Sequence, residues 1–140
     1  MASSGNKTQR LIILDANFLL VPIKNRIDIL SELYSLLTFP FKVVVLSGTI
    51  DELKRKYKSL KVGKERKELQ FAIKYAAHFE IIPCPLEENK DMDDVIIDFA
   101  VKHKAIVATN DTKLRKKLRE LKVPTIFVRE KKYLKINGYE

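Results

Sequence analysis

Residues 11–14 read LIIL, and the carboxylate Asp15 follows them directly. A continuous apolar run of this length is typical of a strand that is covered on both faces, as in a parallel sheet. Four further apolar runs share this character: residues 43–46, 81–82, 105–108 and 125–128. The pattern therefore predicts a central parallel sheet of about five strands.

Stretches with helical spacing lie between these runs. Their apolar side chains recur at helical intervals at about residues 28–37, 49–57, 69–77, 93–102 and 111–121. Strands that alternate with helices predict an α/β domain, a three-layer α/β/α sandwich. We expect residues 11–140 to form this single domain and residues 1–10 to be a flexible N-terminal segment. The last residues, 129–140, either add a short strand or lie on the surface.

The composition suits one compact domain with a polyanionic partner. The chain has 140 residues, of which 46% are hydrophobic, and its 27 Lys and Arg outnumber its 18 Asp and Glu, giving a net charge of +9. This balance favours nucleic acid or an anionic membrane. A membrane-spanning segment is excluded, because the apolar runs are far shorter than the ~20 residues that cross a bilayer. The single cysteine, Cys84, and a polar N-terminus without a signal peptide predict a protein of the reducing cytoplasm.

Acidic side chains follow the predicted strands at their carboxyl ends. Asp15 follows the first strand, Glu52 lies in the first helical turn after the second, and Asp111 opens a helix after the fourth. Asp93 and Asp94 begin the helix after the proline-closed third strand. Because the carboxyl ends of parallel strands share one edge of a sheet, we expect these carboxylates to meet there. Such oxygen ligands suit Mg²⁺ or Mn²⁺, which offset the repulsion between the acids and activate water for attack on a phosphodiester.

Each acid in a helical turn also has a local explanation. Thr49 and Glu52 have the spacing of a capping box, and Asp91 and Asp94 have the same spacing. Asp111 fits a helix N-cap. The acid that ends the first strand is the exception, because it begins no obvious helix. The joint placement of the acids, rather than any one of them, therefore favours a metal site.

Four motifs, taken in order, resemble the PIN domain, a family of metal-dependent ribonucleases with this fold. They are LDANFLL (14–20), TIDELKR (49–55), MDDVIIDFA (92–100) and VATNDTKLRKKL (107–118). The likeness extends over about residues 10–129. Residues 14–37 and 123–133 look most like the ribosome-processing branch of archaea and eukaryotes, and toxin nucleases of the VapC type share the same core.

The resemblance implies a role for each acid. Asp15 matches the first acid of the family, Glu52 the second, Asp94 or its neighbour Asp93 the third, and Asp111 the fourth. In the family these acids coordinate Mg²⁺ or Mn²⁺ and activate the water that hydrolyses the phosphodiester. The resemblance thus names Asp15, Glu52, Asp94 and Asp111 as the catalytic set, with Asp93 as a further metal ligand.

Neighbouring residues match the family in part. Thr109 corresponds to the small hydroxyl residue that supports the site, and Asn17 lies near the first acid. Many relatives carry another acid where this chain has Lys113, which leaves the number of metal ions open. Many also have proline in the strand-to-helix link where this chain reads Ser47-Gly48.

Two basic clusters begin near the predicted acidic edge. Eight basic residues lie between Lys54 and Lys67, opposed only by Glu65, and the second cluster runs over residues 113–122. A solvated helix face rich in lysine is the alternative explanation. The residues that we expect to contact RNA phosphates are Lys54, Arg55, Lys56, Lys58, Lys113, Arg115 and Lys116.

These features predict a Mg²⁺- or Mn²⁺-dependent endoribonuclease that hydrolyses RNA phosphodiester bonds, with rRNA processing as one setting. The alternatives are a catalytically weak RNA-binding module of a ribosome-assembly particle and a VapC-type toxin ribonuclease. The corresponding partners are ribosome-assembly proteins or an antitoxin, and PIN relatives often form homodimers. Nucleotide-dependent enzymes are excluded, because the chain has neither a G-x-G-x-x-G motif nor a Walker A loop.

Overall fold

The computed structural model describes residues 9–139, which form a mixed sheet with helices on both faces. The elements, in chain order, are β1 Arg10–Leu14, a 3₁₀ helix Ala16–Leu20, α1 Val21–Asn25, α2 Ile29–Leu36, β2 Phe41–Leu46, α3 Ser47–Ser59, α4 Lys64–Ala76, β3 Glu80–Ile82, α5 Met92–His103, β4 Ile106–Ala108, α6 Thr112–Glu120, β5 Thr125–Arg129 and β6 Tyr133–Asn137. Among the described residues, no helix is both long and apolar enough to cross a membrane.

The sheet runs in the order β3-β2-β1-β4-β5-β6, so β1 lies between β2 and β4. The chain builds outward from β1 through β2 and β3, then returns to β4 on the other side, and this reversal makes the β1–β4 edge a topological switch point. Leu14 pairs with Ala108 in this parallel register. The residues that follow the two strands, Asp15 and Thr109, therefore lie side by side.

The sheet is larger by one strand than the about five that the apolar runs predict. Residues 133–137 form β6, which pairs antiparallel with β5. Leu134 is buried, whereas the other residues of β6 are more exposed. The sequence left this strand open, because one buried apolar residue does not make a recognisable strand pattern. Arg10, which we placed in the flexible segment, is the first residue of β1, and its N–H donates to Pro40 O at 3.0 Å. Residues 1–8 of that segment lie outside the described residues.

Both faces of the sheet are covered, which confirms the three-layer sandwich. On one face, Ile12 and Leu14 pack with the 3₁₀ helix and with helices α2, α3 and α4. On the other face, Ile13 and Val44 pack against α5 and α6. The strand residues alternate between the two cores because successive side chains of a strand point to opposite faces. The continuous apolar runs in the sequence reflect this double burial.

The start of α3 is fastened to the segment that leads into α5. The N–H of Gly48 donates to Cys84 O at 3.0 Å, and the N–H of Cys84 donates to Ser47 Oγ at 2.9 Å. A Cβ at Gly48 would lie 2.7 Å from Met92 Sδ and 2.8 Å from the backbone nitrogen of Leu86, so glycine is required by this close approach. The link fixes α3, from one layer, relative to α5, from the other.

Candidate active site

Asp15 lies at the carboxyl end of β1, only 6% exposed, and both of its carboxylate oxygens are hydrogen-bonded. Oδ1 accepts from the N–H of Ala16 at 2.8 Å, and Oδ2 accepts from the hydroxyl of Thr109 at 2.7 Å. Its own N–H donates to Ala108 O at 3.0 Å, which ties it to β4. The neighbouring strand thus fixes the orientation of this carboxylate.

The turn after β4 brings Asp111 to the same edge. The N–H of Asp111 donates to Thr109 Oγ1 at 3.1 Å, so one hydroxyl contacts both acids. Asp111 Oδ1 caps α6 by accepting from the N–H groups of Lys113 and Leu114, at 2.9 and 3.2 Å. The expected N-cap is therefore present, yet Asp111 also lines the cleft described below, which leaves its second oxygen for a ligand.

Glu52 reaches the cleft from α3. The helix begins at Ser47, two residues before Thr49, and the N-cap residue Leu46 makes no side-chain capping bond. The Thr49 hydroxyl is buried without a hydrogen-bond partner among residues 9–139. The capping-box explanation of Glu52 is therefore wrong, because neither side chain caps the helix. Glu52 is half-buried and faces the cleft.

The third acid of the cleft is Asp93 rather than Asp94. Asp91 caps α5 by accepting from the N–H of Asp94 at 3.0 Å, which is the local role that the Asp91–Asp94 spacing predicts. Asp93 is half-buried and lines the cleft, whereas Asp94 is exposed and does not. One residue along an α-helix turns the side chain by about 100°, which separates the two neighbours.

The four carboxylates face an open cleft of about 210 Å³ over the carboxyl ends of β1 and β4. Its lining consists of Asp15, Ala16, Asn17, Leu20, Glu52, Leu53, Lys56, Leu69, Asp93 and Asp111. Within the described part of the chain, no three His, Cys, Asp or Glu side chains lie close enough to close around one ion. The acids line the space and leave room between them. This suits a hard cation that keeps several waters and accepts phosphate oxygens from a substrate.

The electrostatics of the cleft favour a cation. Burial raises the pKa of Asp15, against the Thr109 and Ala16 hydrogen bonds, and the charges of Glu52 and Asp111 raise it further. Burial, together with the charges of Asp15 and Asp111, raises the pKa of Asp93 to about 6. Burial also raises the pKa of Glu52, and Asp93 adds to this. The carboxylates thus destabilise one another when ionised, and a divalent ion would relieve the repulsion.

The basic residues are divided by the structure into exposed, cleft-lining and packed groups. Among the α3 residues Lys54, Arg55, Lys56 and Lys58, all are exposed, and Lys56 also lines the cleft. On α6, Lys113 and Lys116 are exposed. Arg115 is the exception, because its guanidinium lies 3.7 Å from the centroid of the Phe127 ring and its Nε is buried. Arg115 therefore packs against the sheet through one face of its guanidinium, and its expected contact with an RNA phosphate stays a prediction.

Some residues of the site were missed in the sequence. Lys117 belongs to the second basic cluster but was not among the expected RNA contacts, and its charge lowers the pKa of Asp93, which burial and three carboxylates raise. Its spacing of four from Lys113 on one helix face was the available signal. Leu20, Leu53 and Leu69 form the apolar part of the cleft lining. The sequence could not identify them as cleft residues, because leucines at helical spacing indicate only that they belong to a core.

Comparison with known proteins shows the family of this chain. A profile of the PIN-like domain family matches residues 12–131. Ribonuclease VapC4 of Methanocaldococcus jannaschii is 33% identical over 129 residues, which cover 91% of this chain and 96% of that protein. Ribonuclease VapC9 of Archaeoglobus fulgidus is 29% identical over 128 residues, covering 91% of this chain and 89% of the other.

A solved structure shares the fold as well. The structure of the PIN domain endonuclease Utp24 superposes with a TM-score of 0.74 at 23% sequence identity, and the match covers 92% of each chain. The family match over residues 12–131 includes all four motifs, so the resemblance drawn from them is confirmed. The chain belongs to the PIN-like domain family.

Proposed function

We propose that the protein is a divalent-metal-dependent endoribonuclease whose active site is the acidic cleft. The observation that carries this proposal is the meeting of Asp15, Glu52, Asp93 and Asp111 in one cleft of a chain with net charge +9. The two curated relatives are named ribonucleases, in agreement with the RNA-cleaving nuclease expected from the sequence. An acidic pocket on a basic protein combines an ion-binding site with attraction for a polyanion.

The donor set fits Mg²⁺ or Mn²⁺, because it consists of carboxylate oxygens around an open space. Asp15, Glu52, Asp93 and Asp111 would hold the ion together with water, because no three of them are close enough to enclose it by themselves. When bound, such an ion supplies activated water and stabilises the charge that develops on the phosphate. Asp94, exposed and outside the cleft, has no part in this assignment.

The side chains of the cleft prepare it for an anionic substrate. Asp15 is held by Thr109 and Ala16 in one orientation, so little reorganisation is needed when a cation arrives. Lys56 lines the cleft four residues after Glu52 on the same face of α3 and lowers the repulsion between the carboxylates and an approaching phosphate. Lys117 opposes the charge of Asp93 from α6.

The other exposed basic residues expected to contact RNA lie on α3, which supplies Glu52 and Lys56 to the cleft, and on α6, which Asp111 caps. Lys54, Arg55 and Lys58 lie on α3, and Lys113 and Lys116 lie on α6, all exposed. We assign to them contacts with RNA phosphates on either side of the cut, which give affinity without base readout. Each contact removed by a Lys→Gln substitution is expected to reduce the slope of log affinity against log salt by about 0.7 for single-stranded RNA.

Two settings fit this activity. The relatives named VapC ribonucleases favour a toxin-type nuclease with an antitoxin as partner. The resemblance of residues 14–37 and 123–133 to the ribosome-processing branch favours a role in rRNA processing. Induced expression of the wild type and of Asp15→Asn in a bacterial host separates the two. Growth arrest with broad RNA cleavage supports the toxin, and cleavage confined to precursor rRNA supports processing.

The test of the proposal is an RNA-cleavage assay with Mn²⁺, with excess EDTA, and with the variants Asp15→Asn and Asp51→Asn. Asp51 is exposed and adjoins Glu52, so its substitution is the matched control for removing one carboxylate. We expect EDTA and Asp15→Asn to stop cleavage, and Asp51→Asn to leave it unchanged. Cleavage that survives both EDTA and Asp15→Asn contradicts the proposal. Salt-dependent RNA binding without any turnover would instead identify the RNA-binding module.

A further inference from the structure

Asn17 is the only uncharged polar side chain among the described residues that line the acidic cleft. It is the second residue of the 3₁₀ helix Ala16–Leu20, which begins directly after Asp15. The next two residues, Phe18 and Leu19, are fully buried in the core. The backbone that carries Asn17 is therefore held firmly between the end of β1 and the core.

Hydrogen bonds define the orientation of the Asn17 amide. Its Oδ1 accepts from the backbone N–H of Asn110 at 3.1 Å and lies 3.5 Å from the hydroxyl of Thr109. A backbone N–H can only donate, so the atom that faces it must be the amide oxygen. The amide nitrogen, Nδ2, then points away from the Asn110 backbone.

The two N–H donors of Nδ2 are available to a ligand. Within residues 9–139, Nδ2 makes no hydrogen bond, and it is not among the buried side-chain atoms that lack a partner. It is therefore accessible, on a side chain that lines the cleft. The four carboxylates of the cleft are acceptors when ionised, so Asn17 and Lys56 are the side chains there that supply donors.

A phosphate that enters this cleft carries acceptor oxygens and meets four carboxylates. A fixed neutral donor beside them offsets that repulsion without adding a mobile charge, and it acts most strongly where negative charge develops in the reaction. We infer that Asn17 is a further catalytic residue, whose side-chain amide donates a hydrogen bond to a non-bridging oxygen of the phosphate that is cleaved. The inference rests on the proposed function of the cleft.

Two substitutions separate this donor role from a purely structural one. Asn17→Asp keeps an oxygen that accepts from the N–H of Asn110 but removes both donors. Asn17→Ala removes the acceptor and the donors together. If Asn17 serves only to hold the turn at Asn110, Asn17→Ala is impaired, and any loss caused by the added carboxylate of Asn17→Asp is the same whichever non-bridging oxygen of the phosphate is replaced by sulfur. If Asn17 donates to the phosphate, both variants lose activity, and the loss in Asn17→Asp depends on which non-bridging oxygen is replaced.

The measurements are kcat and KM on a short RNA whose cleavage site in the wild type has been mapped, Mn²⁺ affinity by calorimetry, and thermal unfolding. We expect kcat to fall about 10- to 100-fold in both variants, the range for one hydrogen bond to a charged group. For Asn17→Asp we expect the unfolding temperature measured in saturating Mn²⁺ to be retained, and Mn²⁺ affinity to be equal to or tighter than that of the wild type. A structural role would not produce this separation of cleavage from metal binding.

A phosphorothioate substrate gives an independent readout with the wild-type fold intact. Sulfur at one non-bridging position accepts hydrogen bonds poorly, so the ratio of wild-type to Asn17→Asp rates should shrink about 10-fold for one of the two stereoisomers. Wild-type cleavage with an equal rate in Asn17→Asp, or a loss of Mn²⁺ affinity that matches the loss of kcat, overturns the role of Asn17. A wild type that does not cleave RNA at all overturns the proposed function itself.

Discussion

The two halves of the acidic cleft are held in different ways. In the sheet half, Asp15 accepts hydrogen bonds at both oxygens and Asp111 is fixed as the cap of α6, with Thr109 joining the two. In the helix half, burial and neighbouring charges shift the pKa values of Glu52 and Asp93, and no hydrogen bond contributes to either shift. The sheet half is arranged before any ligand arrives, and the helix half is free to adjust to one.

The difference follows from how the fold places the two halves. Asp15 and Thr109 follow adjacent strands whose register pairs Leu14 with Ala108, so backbone pairing brings them into contact. Glu52 and Asp93 lie on helices in opposite layers, joined near their starts by the link between Ser47–Gly48 and Cys84. The cleft therefore combines carboxylate oxygens that are fixed, in the sheet half, with carboxylate oxygens that can move, in the helix half. This suits an ion that exchanges water ligands for phosphate oxygens when a substrate binds.

After the loss of cleavage expected for Asp15→Asn in the sheet half, the next largest effect should come from removing an acid of the helix half. Asp93→Asn should reduce cleavage by about 100-fold, since it deletes one of the groups that hold the cation. Asp94→Asn is the matched control, because the neighbouring carboxylate is exposed and outside the cleft. Cleavage rates with Mn²⁺ at saturating RNA decide between them. A larger loss in Asp94→Asn than in Asp93→Asn would reverse the assignment.

The sheet half is tested by the hydroxyl that joins its two acids. Thr109→Val removes the donor to Asp15 and the acceptor for the N–H of Asp111 while keeping the shape of a fully buried side chain. We expect about a 10-fold to 100-fold loss of cleavage and about 1–3 kcal/mol of stability, because buried polar groups lose their partners. Thr109→Ser restores the hydroxyl and should recover most of both. Equal cleavage rates for Thr109→Val and Thr109→Ser would show that cleavage does not depend on the hydrogen bonds of this hydroxyl.

The link between the two helices is tested at Gly48. Gly48→Ala inserts a Cβ 2.7 Å from Met92 Sδ and 2.8 Å from the backbone of Leu86, and we expect it to cost about 1–3 kcal/mol of stability. It should also weaken Mn²⁺ binding, because it pushes α5 away from α3. Gly63→Ala is the control, since nothing lies within 4 Å of the added Cβ and its φ of 162° is ordinary extended backbone. Urea unfolding and calorimetry of all three proteins give the comparison.

The smallest effect concerns the pH dependence of the metal-free protein. Burial and neighbouring carboxylates raise the pKa of Asp93 from 3.8 to about 6, so the folded state binds this proton more tightly than the unfolded chain does. Protonated Asp93 contributes its full stability below the pKa that Asp93 has in the unfolded chain. This contribution is lost as the pH rises through the higher pKa that Asp93 has in the folded state. Near neutral pH, Asp93→Asn should therefore raise the free energy of unfolding.

We expect the free energy of unfolding of Asp93→Asn to exceed that of the wild type by about 1 kcal/mol near neutral pH. This is less than the pKa shift alone would give, because Asp93 is only half-buried and solvent screens its charge. At about pH 4 the wild type and Asp93→Asn should be equally stable, since the wild-type carboxyl is then protonated in the fold. Denaturant unfolding at both pH values in EDTA measures the difference. A variant less stable than the wild type near neutral pH would mean that Asp93 stabilises the metal-free fold.

The sequence shows which segments carry the acids of the cleft, but it does not show which of these acids face the cleft. Asp15 is recognisable because an apolar strand ends in a carboxylate, and strand ends are visible as changes in hydropathy. The expectation that Asp15 begins no helix is wrong, because Asp15 is the N-cap of the 3₁₀ helix Ala16–Leu20, which is too short to show a helical spacing in the sequence. Glu52 has a capping-box spacing in the sequence, and only the start of α3 at Ser47 shows that it caps nothing. The choice between Asp93 and Asp94 depends on the rotation of α5, which the neighbouring core sets.

The basic residues show the same division. Counting lysines and arginines predicts a basic surface, and the exposed residues Lys54 and Lys113 belong to it. Arg115 lies on Phe127, and Lys117 lies near Asp93, because of how α6 packs against the sheet. β6 follows β5 directly in the chain, yet the sequence left it open, because Leu134 is the only buried residue of this strand.

The sequence alone determined the layered α/β fold, the basic character of the chain and the four segments that carry the acids, because hydropathy period and residue chemistry are local properties. The tertiary structure decided which oxygens face the same space. That choice depends on strand register, on the rotation of α5 and on the close approach at Gly48. These are set by contacts between segments far apart in the chain, and no local pattern encodes them.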